Sequence, residues 1–258
     1  MAGKRGLILG VLNERSIAWG IASCLAEHGA ELAFTYQGEA LESRVRPLAK
    51  SLGSDLVYNC DVEDIDTVDA AFDGLKAAWG KIDFVVHAVA FSDRNQLKGL
   101  YADTTRDNFI QTMVISCFSF TEITKRAAAL MPDGGAMLTL TFGGSNQVMP
   151  NYNVMGLAKA ALESSVRYLA SDYGEQAIRV NAISAGPMRT LAGAGIADAR
   201  AMFNFQKTHS PLRRTITLEE VGGSAVYLLS DLSTGVTGEI HYVDSGYNTI
   251  STPRPDRL

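Results

Sequence analysis

The chain has 258 residues and a formal net charge of −5 at pH 7, with 47% hydrophobic and 20% charged residues. This composition is ordinary for a globular protein with a large core, and the acidic balance argues against nucleic acid as the main partner. No apolar run approaches the roughly 18 residues that are needed to cross a bilayer, and the N-terminus lacks the pattern of a signal peptide.

Apolar runs alternate with amphipathic stretches from one end of the chain to the other. The apolar runs are continuous, as expected for a parallel sheet that is covered on both faces. The predicted strands are Gly6–Val11, Glu31–Tyr36, Leu56–Asn59, Phe84–His87, Met137–Leu140, Arg179–Ser184 and Ile240–Val243. The predicted helices are Ile17–Glu27, Ala40–Ser51, Ile65–Trp79, Arg106–Leu130, Val154–Tyr173 and Leu218–Leu229. We therefore predict an α/β fold over residues 1–258, a single-domain Rossmann-type doubly wound parallel sheet with helices on both faces.

A long segment between the sixth predicted strand and the last predicted helix interrupts this alternation. It contains a short amphipathic stretch with Met202, Phe203 and Phe205. Because ligands of open α/β sheets lie outside the carboxyl ends of the strands, we predict a substrate lid at about residues 188–210. A surface loop without a role in binding is the alternative.

The cysteines and histidines indicate neither disulfides nor a metal. Cys24, Cys60 and Cys117 are odd in number, scattered and without a Cys-x-x-Cys spacing. We interpret them as buried, reduced thiols of a cytoplasmic protein. The four histidines have no metal-ligand spacing, so we infer no metal site.

The connection between the first strand and the first helix predicts a dinucleotide site. Gly10 permits a sharp turn off the strand, Ser16 is a natural N-cap residue, and Gly20 would let the helix pack close to the sheet. The N-terminus of that helix is suited to a pyrophosphate. The spacing is not G-x-G-x-x-G, so the connection is a weak motif by itself.

Three further strand ends support the dinucleotide site. Gln37 follows the second strand, where an acidic residue would indicate NAD and an arginine NADP. Glutamine can bond ribose hydroxyls but has no charge for a 2′-phosphate, so we favour NADH over NADPH. Asp61 and Val62 follow the third strand and could bind the adenine edge. The small residues 88–90 after the fourth strand would let a flat ring approach the backbone.

Tyr152 and Lys159 lie seven residues apart in a segment that predicts a helix. Seven residues are close to two helical turns, so both side chains leave the same face. A phenol is a poor acid near neutral pH unless a cation favours its phenolate. The lysine could supply that cation, or it could hold a cofactor so that the phenol meets a substrate oxygen. A surface lysine and a half-buried tyrosine that never cooperate are the alternative.

A family resemblance covers nearly the whole chain, up to Asp244. Its main segments are residues 10–22, 31–37, 60–62, 150–159 and 179–190. Together they resemble the short-chain dehydrogenase/reductase superfamily and, more closely, its NADH-dependent enoyl-acyl-carrier-protein reductase family. The Tyr-x6-Lys spacing is the specific part, because ordinary members of the superfamily have Tyr-x3-Lys.

The resemblance implies reduction of the trans-2,3 double bond of an enoyl thioester, the last reductive step of the fatty-acid elongation cycle. The longer spacing has a plausible chemical reason. Hydride reaches the β-carbon, and negative charge develops on the thioester oxygen as an enolate. The phenol must then reach farther from the nicotinamide than it does in a ketone reductase.

The resemblance also implies roles for individual residues. Tyr152 would hydrogen-bond the thioester oxygen and serve the proton transfer, and Lys159 would hold the nicotinamide ribose hydroxyls. The implied cofactor-binding residues are Gly10, Ser16, Ile17, Gln37, Asp61, Val62, Val89, Lys159, Met188, Arg189, Thr190, Leu191 and Ala192. The implied substrate-binding residues are Ser92, Phe142, Tyr152, Met202 and Phe203.

The sequence departs from the family pattern at two places. The family often has a second active-site tyrosine ten residues before the main one, and here that position is Phe142, which excludes a mechanism with two phenols. The family often has basic lid residues for the acidic carrier protein, and here only Arg200 remains. The carrier protein would then dock through Lys207, Arg213 and Arg214, or it would bind more weakly.

Two other functions remain open from the sequence. One is a carbonyl or hydroxyacyl dehydrogenase of the broader superfamily. The other is a dinucleotide-binding regulator that has lost its catalytic activity, an alternative that the phenylalanine at position 142 leaves open. The implied partners are an acyl carrier protein with an enoyl chain and copies of this chain in a homotetramer. The predicted helices Arg106–Leu130 and Val154–Tyr173 are apolar on more than one face, as helices at a subunit interface are.

Overall fold

The computed structural model describes residues 1–188 and 199–252. Within them, seven strands form one parallel sheet in the order β3-β2-β1-β4-β5-β6-β7. The strands are β1 (Arg5–Leu9), β2 (Glu31–Tyr36), β3 (Val57–Asn59), β4 (Phe84–His87), β5 (Gly135–Thr141), β6 (Ile178–Ala185) and β7 (Ile240–Val243). Every residue of β4 is buried, which confirms the sheet that the continuous apolar runs predicted.

Helices cover both faces of this sheet. The α-helices in the described ranges are α1 (Ile17–Glu27), α2 (Glu39–Ser51), α3 (Ile65–Trp79), α4 (Arg106–Met113), α5 (Ser119–Ala128), α6 (Asn153–Tyr173), α7 (Ala199–His209) and α8 (Leu218–Leu229). Over those same ranges, none is long and apolar enough to cross a membrane.

Neighbouring residues of a strand face opposite apolar clusters, as the alternation of a strand requires. Leu7 and Val85 pack with apolar residues of α3, α5 and α6. Ile8 and Val86 pack with those of α1, α2 and α8. The two clusters are the two halves of the core, and the predicted doubly wound architecture is confirmed.

The strand order reverses between β1 and β4. The chain runs outward from β1 through β2 to β3 and then returns to place β4 on the other side of β1. Leu9 pairs with His87, so the loops that follow β1 and β4 begin side by side. A crevice at such a reversal is where doubly wound sheets bind dinucleotides.

Gly10 makes the turn at this crevice. Its φ is +98°, a region that side chains rarely adopt, and a Cβ atom built there would lie 2.2 Å from the carbonyl oxygen of Ala88. The predicted sharp turn off β1 is confirmed, although β1 ends at Leu9 and does not reach Val11. Only glycine fits where the two loops touch.

The predicted helix Arg106–Leu130 is wrong as one continuous α-helix. It is interrupted by a π-helical segment, Val114–Phe118, and ends at Ala128. The Ser116 hydroxyl binds both the amide nitrogen and the carbonyl oxygen of Phe91, each at 3.0 Å. The Ser119 hydroxyl donates a hydrogen bond of 2.7 Å to the carbonyl oxygen of Ile115 within the segment, which competes with regular helical hydrogen bonding. Apolar periodicity reveals neither contact.

Two details of α1 also differ from the prediction. Ser16 occupies the N-cap position, but its hydroxyl accepts hydrogen bonds from the amides of Leu12 and Asn13, both at 3.0 Å, and caps no helical amide. A Cβ atom on Gly20 would lie 2.7 Å from Cβ of Leu218. Gly20 therefore allows close packing against α8, and not against the sheet.

Candidate active site

Tyr152 and Lys159 come together beside the carboxyl end of β5. Helix α6 begins at Asn153, so Tyr152 occupies the N-cap position and Lys159 lies about two turns further along. Tyr152 is 7% exposed and Lys159 is 6% exposed. Lys159 is therefore not a surface residue and Tyr152 is not half-buried, whereas their cooperation stays a prediction.

The backbone of β5 holds the Lys159 ammonium group. Its Nζ donates a hydrogen bond of 2.8 Å to the carbonyl oxygen of Leu140. Burial lowers the pKa of Lys159 to about 8, and the nearby Cys117 and Glu163 oppose this shift. The side chain is thus charged at neutral pH but close to losing its proton in mildly alkaline solution.

Tyr152 is a neutral phenol in this environment. Burial and the charge of Glu163 both raise its pKa, so Lys159 does not make the phenolate available at neutral pH. Of the two uses that the sequence allowed for the lysine, the geometry therefore favours a hydroxyl donor beside a cation that binds something else.

An apolar cluster encloses the Tyr152 ring. The ring of Phe142 meets it edge-on, with the centroids 5.2 Å apart and an interplanar angle of 73°. Leu97 and Met149 pack in the same cluster. Sequence reasoning missed these two because nothing but their apolar character distinguishes them. Phe142 thus provides a packing surface for the phenol, and its predicted contact with substrate stays a prediction.

The residues predicted to bind the adenosine end lie together beyond β2 and β3. Gln37 Nε2 donates to Asp61 Oδ2 at 2.9 Å. Gln37 is exposed and Asp61 half-buried, so both can reach a ligand. A carboxylate fixed by an amide presents hydrogen-bond acceptors at the end of the crevice that begins at Gly10. Contact of either residue with a cofactor stays a prediction.

The other predicted cofactor residues in the described ranges are divided between the two faces of the sheet. Ile17 and Met188 are half-buried against the cluster of Ile8 and Val86, and Val89 packs against the cluster on the opposite face. Val62 is half-buried and lines a groove with residues of α3, α4 and the π-helical segment. The remaining predicted cofactor residues lie outside the described part of the chain; they are Arg189, Thr190, Leu191 and Ala192.

Ser92 is buried and bonded to α4. Its hydroxyl accepts from Thr112 Oγ1 at 2.9 Å and from Asn108 Nδ2 at 3.2 Å. The serine therefore stabilises the start of the long interrupted helix, a role the sequence did not suggest. Its predicted contact with substrate stays a prediction.

The predicted lid is described only in part, from α7 onward. Met202 lines a cavity of about 30 Å³ together with Phe142, Met149 and Gln206. Phe203 is half-buried but does not line this cavity. Met202 and Phe142 thus line the same small cavity, and Phe142 itself contacts Tyr152.

The basic residues predicted to dock a carrier protein differ in their surroundings. Arg200 and Lys207 are exposed on α7. Arg214 donates two hydrogen bonds to Glu220, which already balances its charge. Arg213 donates to the carbonyl oxygen of Thr208 at 2.9 Å and keeps its charge exposed.

His87 at the end of β4 is fully buried beside this site. Its two ring nitrogens lie 3.2 Å from Thr139 Oγ1 and 2.9 Å from Ser119 Oγ. Burial, assisted by the charge of Lys159, lowers the pKa of His87 to about 3. The imidazole is therefore neutral and links β4, β5 and α5 through hydrogen bonds.

Replacing His87 with glutamine is expected to remove an acid-sensitive part of the stability. The folded-state pKa of about 3 lies below the unfolded value of 6.5, so the unfolded state binds more protons between them. The histidine's contribution is present above pH 6.5, and about 2 kcal/mol of it is lost by pH 5. Urea unfolding at pH 7 and pH 5 measures this loss. The exposed His28→Gln variant is the control, and an unchanged pH dependence in His87→Gln would contradict the expectation.

The parallel sheet, the glycine turn after β1 and the buried Tyr–Lys pair beside β5 define an oxidoreductase class, the short-chain dehydrogenase/reductases. The sequence profile described as enoyl-(acyl carrier protein) reductase matches residues 10–248. The chain is 73% identical over its full length to enoyl-acyl-carrier-protein reductase (NADH) 2 of Rhizobium meliloti, of which it covers 96%.

Two solved structures are similar over almost their whole length. FabI from Candidatus Liberibacter asiaticus is 60% identical with a TM-score of 0.96, and the match covers 98% of each chain. The enoyl-(acyl-carrier-protein) reductase from Anaplasma phagocytophilum, solved in complex with NAD, is 55% identical with a TM-score of 0.96, covering 98% of this chain and 97% of that one. The protein belongs to the enoyl-(acyl carrier protein) reductase family, and the family resemblance predicted from the sequence is confirmed.

Proposed function

We propose that this protein uses NADH to reduce the trans-2,3 double bond of enoyl-acyl-carrier-protein thioesters, the last reductive step of fatty-acid elongation. The observation that carries the proposal is the buried Tyr152 phenol, two helical turns from the Lys159 ammonium at the carboxyl edge of the sheet. The 73% identity to an NADH-dependent reductase of Rhizobium meliloti supports it.

The crevice suits a dinucleotide. The turn at Gly10 has no room for a side chain, because a Cβ atom would lie 2.2 Å from the Ala88 carbonyl oxygen. The backbone can therefore approach a pyrophosphate closely. Gln37 and Asp61 would bind the adenosine end, and Lys159 the nicotinamide ribose hydroxyls. NADH supplies the hydride when bound.

Tyr152 is the hydrogen-bond donor for the substrate. Because the phenol keeps its proton at neutral pH, it can donate to a thioester oxygen and stabilise the enolate that forms there. The ring of Phe142 packs edge-on against the phenol and restricts its position. Phe142 has no proton to give, so its position cannot supply the second phenol that the family often has; solvent or Tyr152 delivers the proton to the α-carbon.

The acyl chain and its carrier would approach from the side of α7. Met202 and Phe203 are apolar residues suited to an acyl chain, and Met202 lines the same small cavity as Phe142. Arg200, Lys207 and Arg213 are exposed cations on or just after this helix, as an acidic carrier requires. Arg214 contributes less, because Glu220 already pairs with it.

We also propose that the protein is a cytoplasmic homotetramer. Exposed apolar residues lie on α4 and the π-helical segment, among them Ile110 and Phe118, each 52% exposed. Both line a groove of about 880 Å³ that includes neither Tyr152 nor Lys159. Burial against another copy would remove this apolar surface from water.

The three cysteine thiols are free, which fits a reducing compartment such as the cytoplasm. Cys60 and Cys117 are buried as predicted, whereas Cys24 is half-buried.

The test is NADH oxidation with a crotonyl thioester, compared with an acetoacetyl thioester and with NADPH as cofactor. We expect turnover of the crotonyl thioester and a preference for NADH, because Gln37 offers no charge to a 2′-phosphate. Turnover of the acetoacetyl thioester alone would identify a carbonyl reductase instead. Binding of NADH without turnover of any enoyl thioester would identify a regulator.

A further inference from the structure

Glu163 is a buried carboxylate that the proposed reaction does not use. Only 5% of it is exposed, and its Oε1 accepts a hydrogen bond of 2.7 Å from Thr141 Oγ1. It follows Lys159 by four residues on α6, so the two side chains leave one face a turn apart. A buried carboxylate is unfavourable unless it is bonded, so its place beside the site requires an explanation.

Two adjacent hydrogen bonds tie α6 to the end of β5. Lys159 Nζ donates to the carbonyl oxygen of Leu140, and the next residue, Thr141, donates to Glu163. Together they restrain how the end of β5 can shift along α6. The lysine is thereby bonded to the end of a strand whose next residue, Thr141, is bonded to the glutamate.

The same strand end also sets the position of the phenol. Phe142 directly follows Thr141, and its ring contacts the Tyr152 ring edge-on at 5.2 Å. A displacement of Thr141 would therefore be passed to Phe142 and from there to Tyr152. Both rings belong to one apolar cluster with Leu97 and Met149, so a shift of one ring is felt by its neighbours.

The negative charge of Glu163 acts on these groups as well. It raises the pKa of Lys159 against the larger effect of burial, so it helps keep the ammonium charged. After burial itself, it also raises the pKa of Tyr152. The other titratable groups that face Lys159 or Glu163 from neighbouring elements are Cys117 of the π-helical segment, His87 of β4 and Tyr242 of β7.

We propose that Glu163 is a positioning residue of the reductase: through Thr141 it fixes the end of β5 and so holds the Lys159 ammonium and the Tyr152 phenol in place. The inference rests on the proposed function for the roles of these two groups. Glu163 touches neither cofactor nor substrate in this account. It acts only through Thr141 and through its charge.

Four variants separate the hydrogen bond from the charge. Glu163→Gln keeps an acceptor but removes the charge, and Glu163→Leu removes both. Thr141→Val removes the donor, whereas Thr141→Ser retains it. Asp172→Asn is the matched control, because it removes an exposed carboxylate from the same helix. For each variant, kcat with a crotonyl thioester, the NADH dissociation constant and the thermal midpoint are measured from pH 6 to pH 9.5.

We expect Glu163→Leu and Thr141→Val to lower kcat by about 10- to 100-fold, the effect of misplacing catalytic groups. Glu163→Gln and Thr141→Ser should recover most of that loss at pH 7. In Glu163→Gln, NADH affinity should begin to fall at a lower pH than in the wild type, since Lys159 loses its proton earlier without the carboxylate. A purely structural role would lower the thermal midpoint without moving this pH profile.

The proposal is overturned if Glu163→Gln has the same pH profile as Asp172→Asn while Thr141→Val retains wild-type kcat. Should Glu163→Leu fail to fold, the glutamine and valine variants still decide the question. NADH affinity does not depend on the identity of the substrate. A wild type without enoyl reductase activity would therefore refute the proposed function and still leave the pH profile of binding as a test of Glu163.

Discussion

Replacement of Tyr152 with phenylalanine is expected to lower kcat for an enoyl thioester by about 100- to 1000-fold, the effect of removing one oxyanion donor. The phenol keeps its proton because burial raises its pKa, so the variant loses a donor without losing a charge. The ring remains, and so does its packing against Phe142. The NADH dissociation constant and the thermal midpoint should stay close to those of the wild type.

Tyr168 provides the control for this experiment. It lies on the same helix and is 73% exposed, so Tyr168→Phe should leave kcat unchanged. Steady-state rates and a fluorescence titration with NADH measure both variants. If Tyr152→Phe retained wild-type turnover, the assignment of Tyr152 as the donor would be refuted.

Replacement of Lys159 with methionine is expected to raise the NADH dissociation constant by about 10- to 100-fold, the effect of losing a hydrogen bond from a charged donor. In the wild type the pKa of Lys159 is lowered to about 8 by burial. The ammonium is present below that pH and is lost above it, so wild-type affinity should weaken in alkaline solution. The methionine variant should bind weakly at every pH, with no such dependence.

Lys76 is a suitable control for this charge. It lies exposed in the last turn of α3, and Lys76→Met should bind NADH like the wild type across the same pH range. Titration of NADH fluorescence at several pH values gives all the constants. A Lys159→Met variant with unchanged affinity would show that the ammonium does not hold the cofactor.

Periodicity predicted the sheet and most of its helices, because burial on both faces leaves a continuous apolar run in each strand. The same reasoning could not find the π-helical segment Val114–Phe118. Within this segment Ser116 bonds to the backbone of Phe91, and the two residues come together only after β4 and the helix have packed. Gly20 was misassigned for a similar reason, since its partner Leu218 is close to the other end of the chain.

The chemistry of the site was predictable where it depends on spacing along one helix. Tyr152 and Lys159 share a face at any packing of α6, so their proximity follows from the sequence. Glu163 lies on that face too, and its position four residues after Lys159 was the available signal. Its partner Thr141 and the burial of both groups depend on how α6 meets β5. Protonation states follow from that burial, so the neutral phenol was not predictable.

The contact between α1 and α8 has a consequence for synthesis of the chain. Gly20 and Gly222 let the two helices approach so closely that a Cβ atom on Gly222 would lie 3.0 Å from the carbonyl oxygen of Gly20. During translation, α1 and the strands beside it leave the ribosome long before α8. The face of α1 that packs against α8 then stays uncovered until most of the polypeptide has been made. Apolar surface left exposed in this way is what makes a partly made chain prone to aggregation and dependent on chaperones.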